Sequence, residues 1–213
     1  RQGAQCAGLE RDLSAPVVKG VPGRHPLPDP QMLVDKLRSW GIDNDSTVVL
    51  YDDGPGAFAA RAWWLLAWLG KRDGVWLLDG GLKSWKAAGL ALTTDMPAQR
   101  AGSFSGQPDH SLLLSATQLQ QRLGASELTL LDARALPRFR GEVEPLDPVA
   151  GHIPGAQCAV FTDNLDADGR FLPAEQLRAR FDALRGTRPV ESLVASRGSG
   201  ATARHHLLAP SLP

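Results

Sequence analysis

The chain repeats itself, and the repeat limits the folds open to it. "QGAQCAG" at residues 2–8 returns as "PGAQCAV" at 154–160. Further on, "STVVLYDDGPGAFAARAWWLLAWLG" (46–70) shares its rhythm with "ESLVASRGSGATARHHLLAPSLP" (191–213). Each of the longer pair is an apolar strand, a glycine-containing turn and the start of an alanine-rich helix. Copies about 140 to 150 residues apart mean a duplicated domain rather than a solenoid, whose period is far shorter. The polar stretch "TTDMPAQRAGSFSGQPDHS" (93–111) has no apolar period and reads as a connection. The expected organisation is a first domain at 1–95, a linker at 96–110 and a second domain at 111–213. A length of 213 residues suits two domains of about 100 residues each.

Within each half, short apolar runs alternate with helical patterns. Residues 30–40 begin with Pro30 and place Leu33, Val34, Leu37 and Trp40 on one helical face. Val48 to Tyr51 reads as a buried strand and 57–69 as a helix. "VWLLDGG" (75–81) reads as a strand and "LKSWKAAG" as a helix stopped by Gly89. In the second half, "SLLLS" (111–115) is expected as a strand, "ATQLQQRLG" as a helix and "LTLLDAR" (128–134) as a strand. "PAEQLRARFDALRG" follows as a helix with Leu177, Phe181 and Leu184 on one face, then "SLVAS" as a strand. Strands alternating with helices imply an α/β fold of parallel sheets covered by helices. Ligands of such folds bind beyond the carboxyl ends of the strands, where the turn at 196–202 lies.

Composition narrows the function. The 23 basic and 23 acidic residues cancel, so no basic surface argues for nucleic acid or a membrane. The longest apolar run, Ala62 to Gly70, falls well short of the roughly 20 residues a bilayer requires. The opening "RQGAQCAGLERD" lacks a charged start followed by an apolar core, so no secretory signal is expected. Two cysteines are too few for a disulfide framework and point to a reducing cytoplasm.

Several motifs together resemble a known family. "LLDAR" (130–134), "RFRGEVEP" (138–145), "GHIPGA" (151–156), "TDNLDADGRF" (162–171) and "GSGATA" (198–203) are similar to the second domain of tandem rhodanese-type sulfurtransferases. "GRHPLP" (23–28), "YDDGPGAFAARAWWLL" (51–66) and "LDGGLKSW" (78–85) are similar to their non-catalytic first domain. The resemblance implies two rhodanese-like domains. It also implies transfer of a sulfane sulfur from thiosulfate or 3-mercaptopyruvate to a thiol or cyanide, through a cysteine persulfide. The partners implied are that small-molecule donor and acceptor; no cofactor or metal is implied. In such enzymes backbone N–H groups surround the cysteine sulfur and stabilise its anion. The GSG turn is closer to the mercaptopyruvate branch.

At the decisive position the chain departs from this pattern. Arg197 stands where the nucleophile belongs, and a guanidinium attacks nothing near neutral pH. Gly198, Ser199, Gly200, Ala201 and Thr202 complete the loop; Ser199 is a candidate donor to the substrate, and Thr202 a helix cap. A second cysteine position of the family is Arg204. Cys6 and Cys158 are expected to be buried and structural, with no glycine-rich turn to lower their pKa.

The resemblance implies that Arg138 and Arg140 hold the donor's oxygens. The second arginine that mercaptopyruvate enzymes often carry after "EP" is Leu146 here. His25 and Asp12 match groups that the family brings toward the active site from the first domain. The ends depart too: no counterpart of "LTLLDAR" precedes "GAQCAG", and none of "VWLLDGGLKSW" follows "GSGATA". Both domains are therefore expected to lack a strand and to leave open sheet edges. The alternative to an enzyme is a catalytically inactive pair of domains that binds an anion or a partner. A rhodanese-fold phosphatase is excluded, since its cysteine is absent and Arg204 falls one residue late.

Three other features carry bland expectations. "NLDADGRFLPAE" (164–175) nearly fits a calcium loop, but Pro173 and the absence of a preceding helix argue for an ordinary connection. Adjacent His205 and His206 should point about 100° apart, which does not suit a metal pair. Trp63, Trp64, Trp68 and Trp76 are expected in the core or in a domain interface.

Overall fold

The computed structural model describes residues 3–18, 23–95, 98, 100–196 and 203–208, excepting the side chains of Arg204 and Leu208. The chain forms two compact units, Arg1–Leu112 and Leu113–Pro213.

In the first unit, α1 (Pro30–Ser39) starts where Asp29 accepts the Met32 N–H at 3.0 Å and Pro30 presets the helical φ. Its apolar face buries Leu33, Val34 and Leu37. A parallel pair follows, β1 (Val48–Leu50) and β2 (Val75–Leu77), joined by α2 (Ala57–Trp68). The helix α2 is buried around most of its surface, which its run of alanine, leucine and tryptophan requires. Then comes α3 (Gly81–Ala87), whose first residue must be glycine: a Cβ there would lie 2.5 Å from the Asp52 carbonyl oxygen. Residues 100–109, expected as a linker, are bonded to this unit. Phe104 is fully buried, Ser103 donates to Asp43, and the Asp109 N–H meets the Trp68 carbonyl at 2.7 Å. The unit ends in a single 3₁₀ turn at His110–Leu112, where the "SLLLS" strand was expected to begin. An apolar run that short does not separate strand from helix turn, and no neighbouring strand claims it.

In the second unit, the helix α4 (Ala116–Arg122) carries a full capping box between Ser115 and Gln118. The sheet consists of β3 (Thr129–Asp132), β4 (Gln157–Cys158) and β5 (Leu193–Ser196), parallel in the order β4-β3-β5. All four residues of β3 are buried, as befits a strand with neighbours on both sides. Between these strands lie α5 (Leu136–Arg140) and α6 (Ala174–Arg185), which packs Leu177 and Phe181 against Leu131 and Ala159. The last element is α7 (Ala203–Leu208). The near-calcium stretch folds as a hairpin: Leu165 bridges Phe171, and the Asp166 carboxylate accepts the N–H groups of Asp168 and Arg170.

The tryptophans divide. Trp64 and Trp68 are buried and stacked at 6.1 Å, whereas Trp76 on β2 is 59% exposed, contrary to the core expectation. No described helix is long and apolar enough to cross a membrane.

Candidate active site

The loop Arg197–Thr202, which holds the nucleophile position, Gly198, Ser199, Gly200, Ala201 and the cap Thr202, lies outside the described residues. Ser196 ends β5, and its hydroxyl donates to the Leu131 carbonyl at 3.2 Å. Beside it, buried Asp132 ends β3 and begins a chain of ion pairs running through Arg134, Glu144, Arg138 and Asp147. Arg134 reaches Asp132 at 2.7 Å, the Gly151 carbonyl at 2.6 Å and Glu144 at 3.4 Å. Arg138 reaches Glu144 at 2.5 Å and Asp147 at 3.0 Å. The hydrogen bond from Arg138, helped by the N–H groups of Asp147 and Leu146, outweighs desolvation and holds the Glu144 carboxyl at about 2.

Of the two arginines expected at the donor, Arg138 is thus already held by two carboxylates in a part-buried site. Arg140 is 60% exposed and lies 3.7 Å from Glu142. Glu144 was missed in the sequence because its meaning depends on two arginines converging on it. Nearby, His152 stacks on Phe139 at 3.7 Å and contacts its carbonyl through Nδ1.

Cys158 is half-buried on β4, its thiol 3.8 Å from the Arg134 carbonyl. Burial, then the charges of Asp132 and Asp163, push its pKa up, the wrong direction for a nucleophile. Cys6 corrects the sequence expectation: it is exposed.

On α7, His205 and His206 share one partner. Both are buried, and both place Nδ1 within 3.2 Å of the Asn164 side-chain nitrogen. Two imidazoles can each accept one hydrogen of that amide, so Asn164 fastens α7 to the 3₁₀ turn at Phe161–Asn164. His206 donates from Nε2 to the Ala159 carbonyl at 2.6 Å, while Arg180 reaches the Asn164 oxygen at 3.1 Å. Burial pulls the His206 pKa down to about 4, so this ring is neutral at physiological pH.

The first unit contains a complete version of the same passage. Where β1 ends, the Asp52 carboxylate accepts four backbone N–H groups, from Gly54, Gly56, Phe58 and Ala59, at 2.9 to 3.1 Å. Aligning Val48 with Leu193 puts Asp52 opposite Arg197 and Arg61 opposite His206. Arg61 is fully buried and donates to the carbonyls of Leu13, His25 and Pro26 and to the Ser14 hydroxyl. The internal repeat contained the signal for both residues.

The two residues expected to reach the active site from this unit have partners within it. Asp12 is buried against Lys36 at 3.0 Å and Arg11 at 2.8 Å. Burial raises its pKa, but the bonds from Arg11, Gly8 and Lys36 prevail and hold it at about 2. His25 lies 4.0 Å from Glu10. Among the described residues, no three His, Cys, Asp or Glu side chains are grouped to hold a metal.

A parallel sheet carrying a turn that gathers backbone donors around an anion is a design that several classes of α/β domain share. Comparison with known proteins narrows the class. Residues 14–88 match the rhodanese-like domain. A probable 3-mercaptopyruvate sulfurtransferase of Pseudomonas aeruginosa is 71% identical over 210 residues, covering 99% of this chain and 74% of the relative. A putative thiosulfate sulfurtransferase, SseB, of Mycobacterium tuberculosis is 43% identical over 182 residues, covering 83% of this chain and 62% of the relative. Among solved structures, SseA of Escherichia coli, described as a 3-mercaptopyruvate sulfotransferase with the rhodanese fold, superposes with a TM-score of 0.79. It is 30% identical, and the match covers 96% of this chain and 75% of that one. The chain belongs to the rhodanese family of sulfurtransferases.

Proposed function

We propose that the second unit is a sulfurtransferase site whose nucleophile position is filled by Arg197, so that it binds an anionic sulfur donor without forming a persulfide. In the parent reaction a thiolate attacks the outer sulfur of the donor. A sulfur–sulfur bond forms, and the C–S bond of 3-mercaptopyruvate or the S–S bond of thiosulfate breaks, releasing pyruvate or sulfite. A thiol or cyanide then takes the outer sulfur and restores the thiolate. That cycle requires a nucleophile at 197 and a turn of N–H groups to carry the sulfur anion. This chain keeps Gly198, Ser199 and Gly200 but not the thiol.

The observation that carries the reading is the anion-filled turn of the first unit. Asp52 satisfies four N–H groups there, and the aligned stretch "RGSG" contains no carboxylate. Arg197 adds donors to donors, so an external anion is needed. Arg140, exposed near the end of α5, is the guanidinium open to the donor, while Arg138 stays with Glu144 and Asp147.

The test is direct. With Cys6 and Cys158 replaced by Ser, the chain incubated with thiosulfate or 3-mercaptopyruvate should gain no sulfur by intact mass and transfer none to cyanide. Arg197→Cys in the same background should gain one sulfur atom, 32 Da by its atomic mass. Turnover by the chain that still has Arg197 would place the active site elsewhere.

A further inference from the structure

Arg138 meets two carboxylates, and they hold it differently. Glu144 takes it as a fork: Nε donates to one carboxylate oxygen at 3.2 Å and Nη2 to the other at 2.5 Å. The Glu144 carboxyl is itself fastened. The N–H groups of Leu146 and Asp147 donate to it at 3.0 Å, and Arg134 approaches at 3.4 Å. A forked pair with a tethered partner fixes both the place and the tilt of the guanidinium plane. From Asp147, by contrast, Arg138 takes one bond, at Nη2, 3.0 Å long. The Asp147 side chain is also the more exposed, 17% against 5% for Glu144. Glu144 therefore orients Arg138, and Asp147 only occupies it.

The cluster stands at the end of the sheet where a parallel α/β fold receives its ligands. Ion pairs run from Arg138 through Glu144 and Arg134 to Asp132, the last residue of β3. Asp132 lies opposite Ser196 in the register of β3 with β5, and Arg197 follows Ser196 directly. Along this run the carboxylates of Asp132, Glu144 and Asp147 outnumber the guanidiniums of Arg134 and Arg138 by one. The neighbouring Arg140 and Glu142 cancel. Asp147 thus decides the sign: without it the run is neutral, and with it the run carries one net negative charge.

Given the donor site proposed above, we infer that Asp147 selects the charge of the donor. By occupying Arg138 and leaving the run negative, it disfavours a dianion such as thiosulfate relative to a monoanion such as 3-mercaptopyruvate. Coulomb energy scales with the product of the charges, so a fixed carboxylate opposes a dianion twice as strongly as a monoanion at the same distance. Glu144 cannot play this part. It is buried, and both of its oxygens are committed, one to Arg138 and two N–H groups, the other to Arg138 and Arg134. Asp147 is a specificity residue acting through its field and through Arg138; it takes no part in moving sulfur.

The test compares two stable anions on the full chain with Arg197 in place: thiosulfate, a dianion, and pyruvate, a monoanion. Dissociation constants are read at constant ionic strength from the side-chain Nε–H signals of Arg138 and Arg140. Asp147→Asn, which keeps the shape and removes the charge, should tighten thiosulfate ~10-fold and pyruvate only ~3-fold, the relation that one removed charge imposes. Asp147→Glu restores the charge and should return both anions to the parent values. Unchanged thiosulfate affinity in Asp147→Asn overturns the inference. Equal gains for the two anions also overturn it, since they would mean a freed hydrogen-bond donor without charge selection. So does a failure of every variant to bind either anion. If Asp147→Asn does not fold, Asp147→Ser takes its place under the same criteria. Sulfur uptake at Arg197→Cys tests the proposed function separately. No uptake with the affinity pattern present would overturn that reading and leave the charge selection standing; uptake without the pattern would do the reverse.

Discussion

The repeat aligns Asp52 with Arg197 in two passages of similar sequence, and the two residues carry opposite charges. In the first passage the anion is built in. Four backbone N–H groups close on a carboxylate, so the turn is complete as the chain folds. In the second, the sequence repeat sets Arg197 opposite Asp52, a cation against a carboxylate. A turn of backbone donors is thus one device with two uses, structural when a side chain fills it and chemical when a thiol does. Nine residues further on, the pair Arg61 and His206 repeats the lesson. Both are buried and both tie their helix to main-chain carbonyls, one as a permanent cation and the other as a neutral ring.

The largest expected effect breaks the comparison at Arg61. Burial lowers even this guanidinium to about 10, yet it remains charged at neutral pH and satisfies three carbonyls and a hydroxyl. Arg61→Met should cost the first unit about 3–5 kcal/mol, because the acceptors it leaves are buried. Urea unfolding followed by tryptophan fluorescence reads this, since Trp64 and Trp68 lie on the same helix. A loss below about 1 kcal/mol would mean that the carbonyls find other donors.

The next effect is confined to the second unit and to acid. His206 titrates near 4 in the fold, against about 6.5 when unfolded. A depressed folded pKa means stability that is full above about 6.5 and is lost as pH falls toward 4. The loss approaches about 3 kcal/mol, since each tenfold change in proton affinity is worth about 1.4 kcal/mol. Burial prevails over the hydrogen bond to the Ala159 carbonyl and the charges of Asp163 on the 3₁₀ turn and Asp132 on β3, all of which raise the pKa, while the charge of Arg180 on α6 lowers it further. Urea midpoints between pH 7 and 4 should fall for the second unit, and an imidazole NMR titration near 6.5 would contradict the burial argument. Asp12 and Glu144, both near 2, act in a lower window, losing their contribution only below about 4.

The smallest effect sharpens the comparison at the turn itself. Asp52→Ala should cost about 1–3 kcal/mol, the scale of charge-assisted bonds lost from a half-exposed site. Added sulfate should recover part of that loss by filling the vacated turn, and should not stabilise the parent chain. Equal stabilisation of both would show that the four N–H groups do not form an anion seat.

Element types were legible wherever periodicity was long. The helices at 30–39, 57–68 and 174–185 lie within a residue or two of their patterns, because an apolar stripe at helical spacing has one way to be buried. "SLLLS" was not legible, since three leucines without a partner strand specify neither state. The candidate site residues were legible as a set of motifs. The repeat exposes the pairing of Asp52 with Arg197, whereas Glu144 between two arginines and Asn164 between two histidines required the fold. His205 and His206 diverge on a helical wheel, yet an amide 41 and 42 positions away meets both.

The sequence by itself determined the α/β plan of parallel strands and helices and the absence of a thiol at position 197, because these rest on local spacing and on side-chain chemistry that no fold can alter. Tertiary structure decided which charged groups are already taken and which cysteine is covered. Arg138 is held and Arg140 is open, Cys158 is shielded and Cys6 is bare. Those outcomes depend on what lies alongside each residue, and a strand's neighbours come from distant parts of the chain.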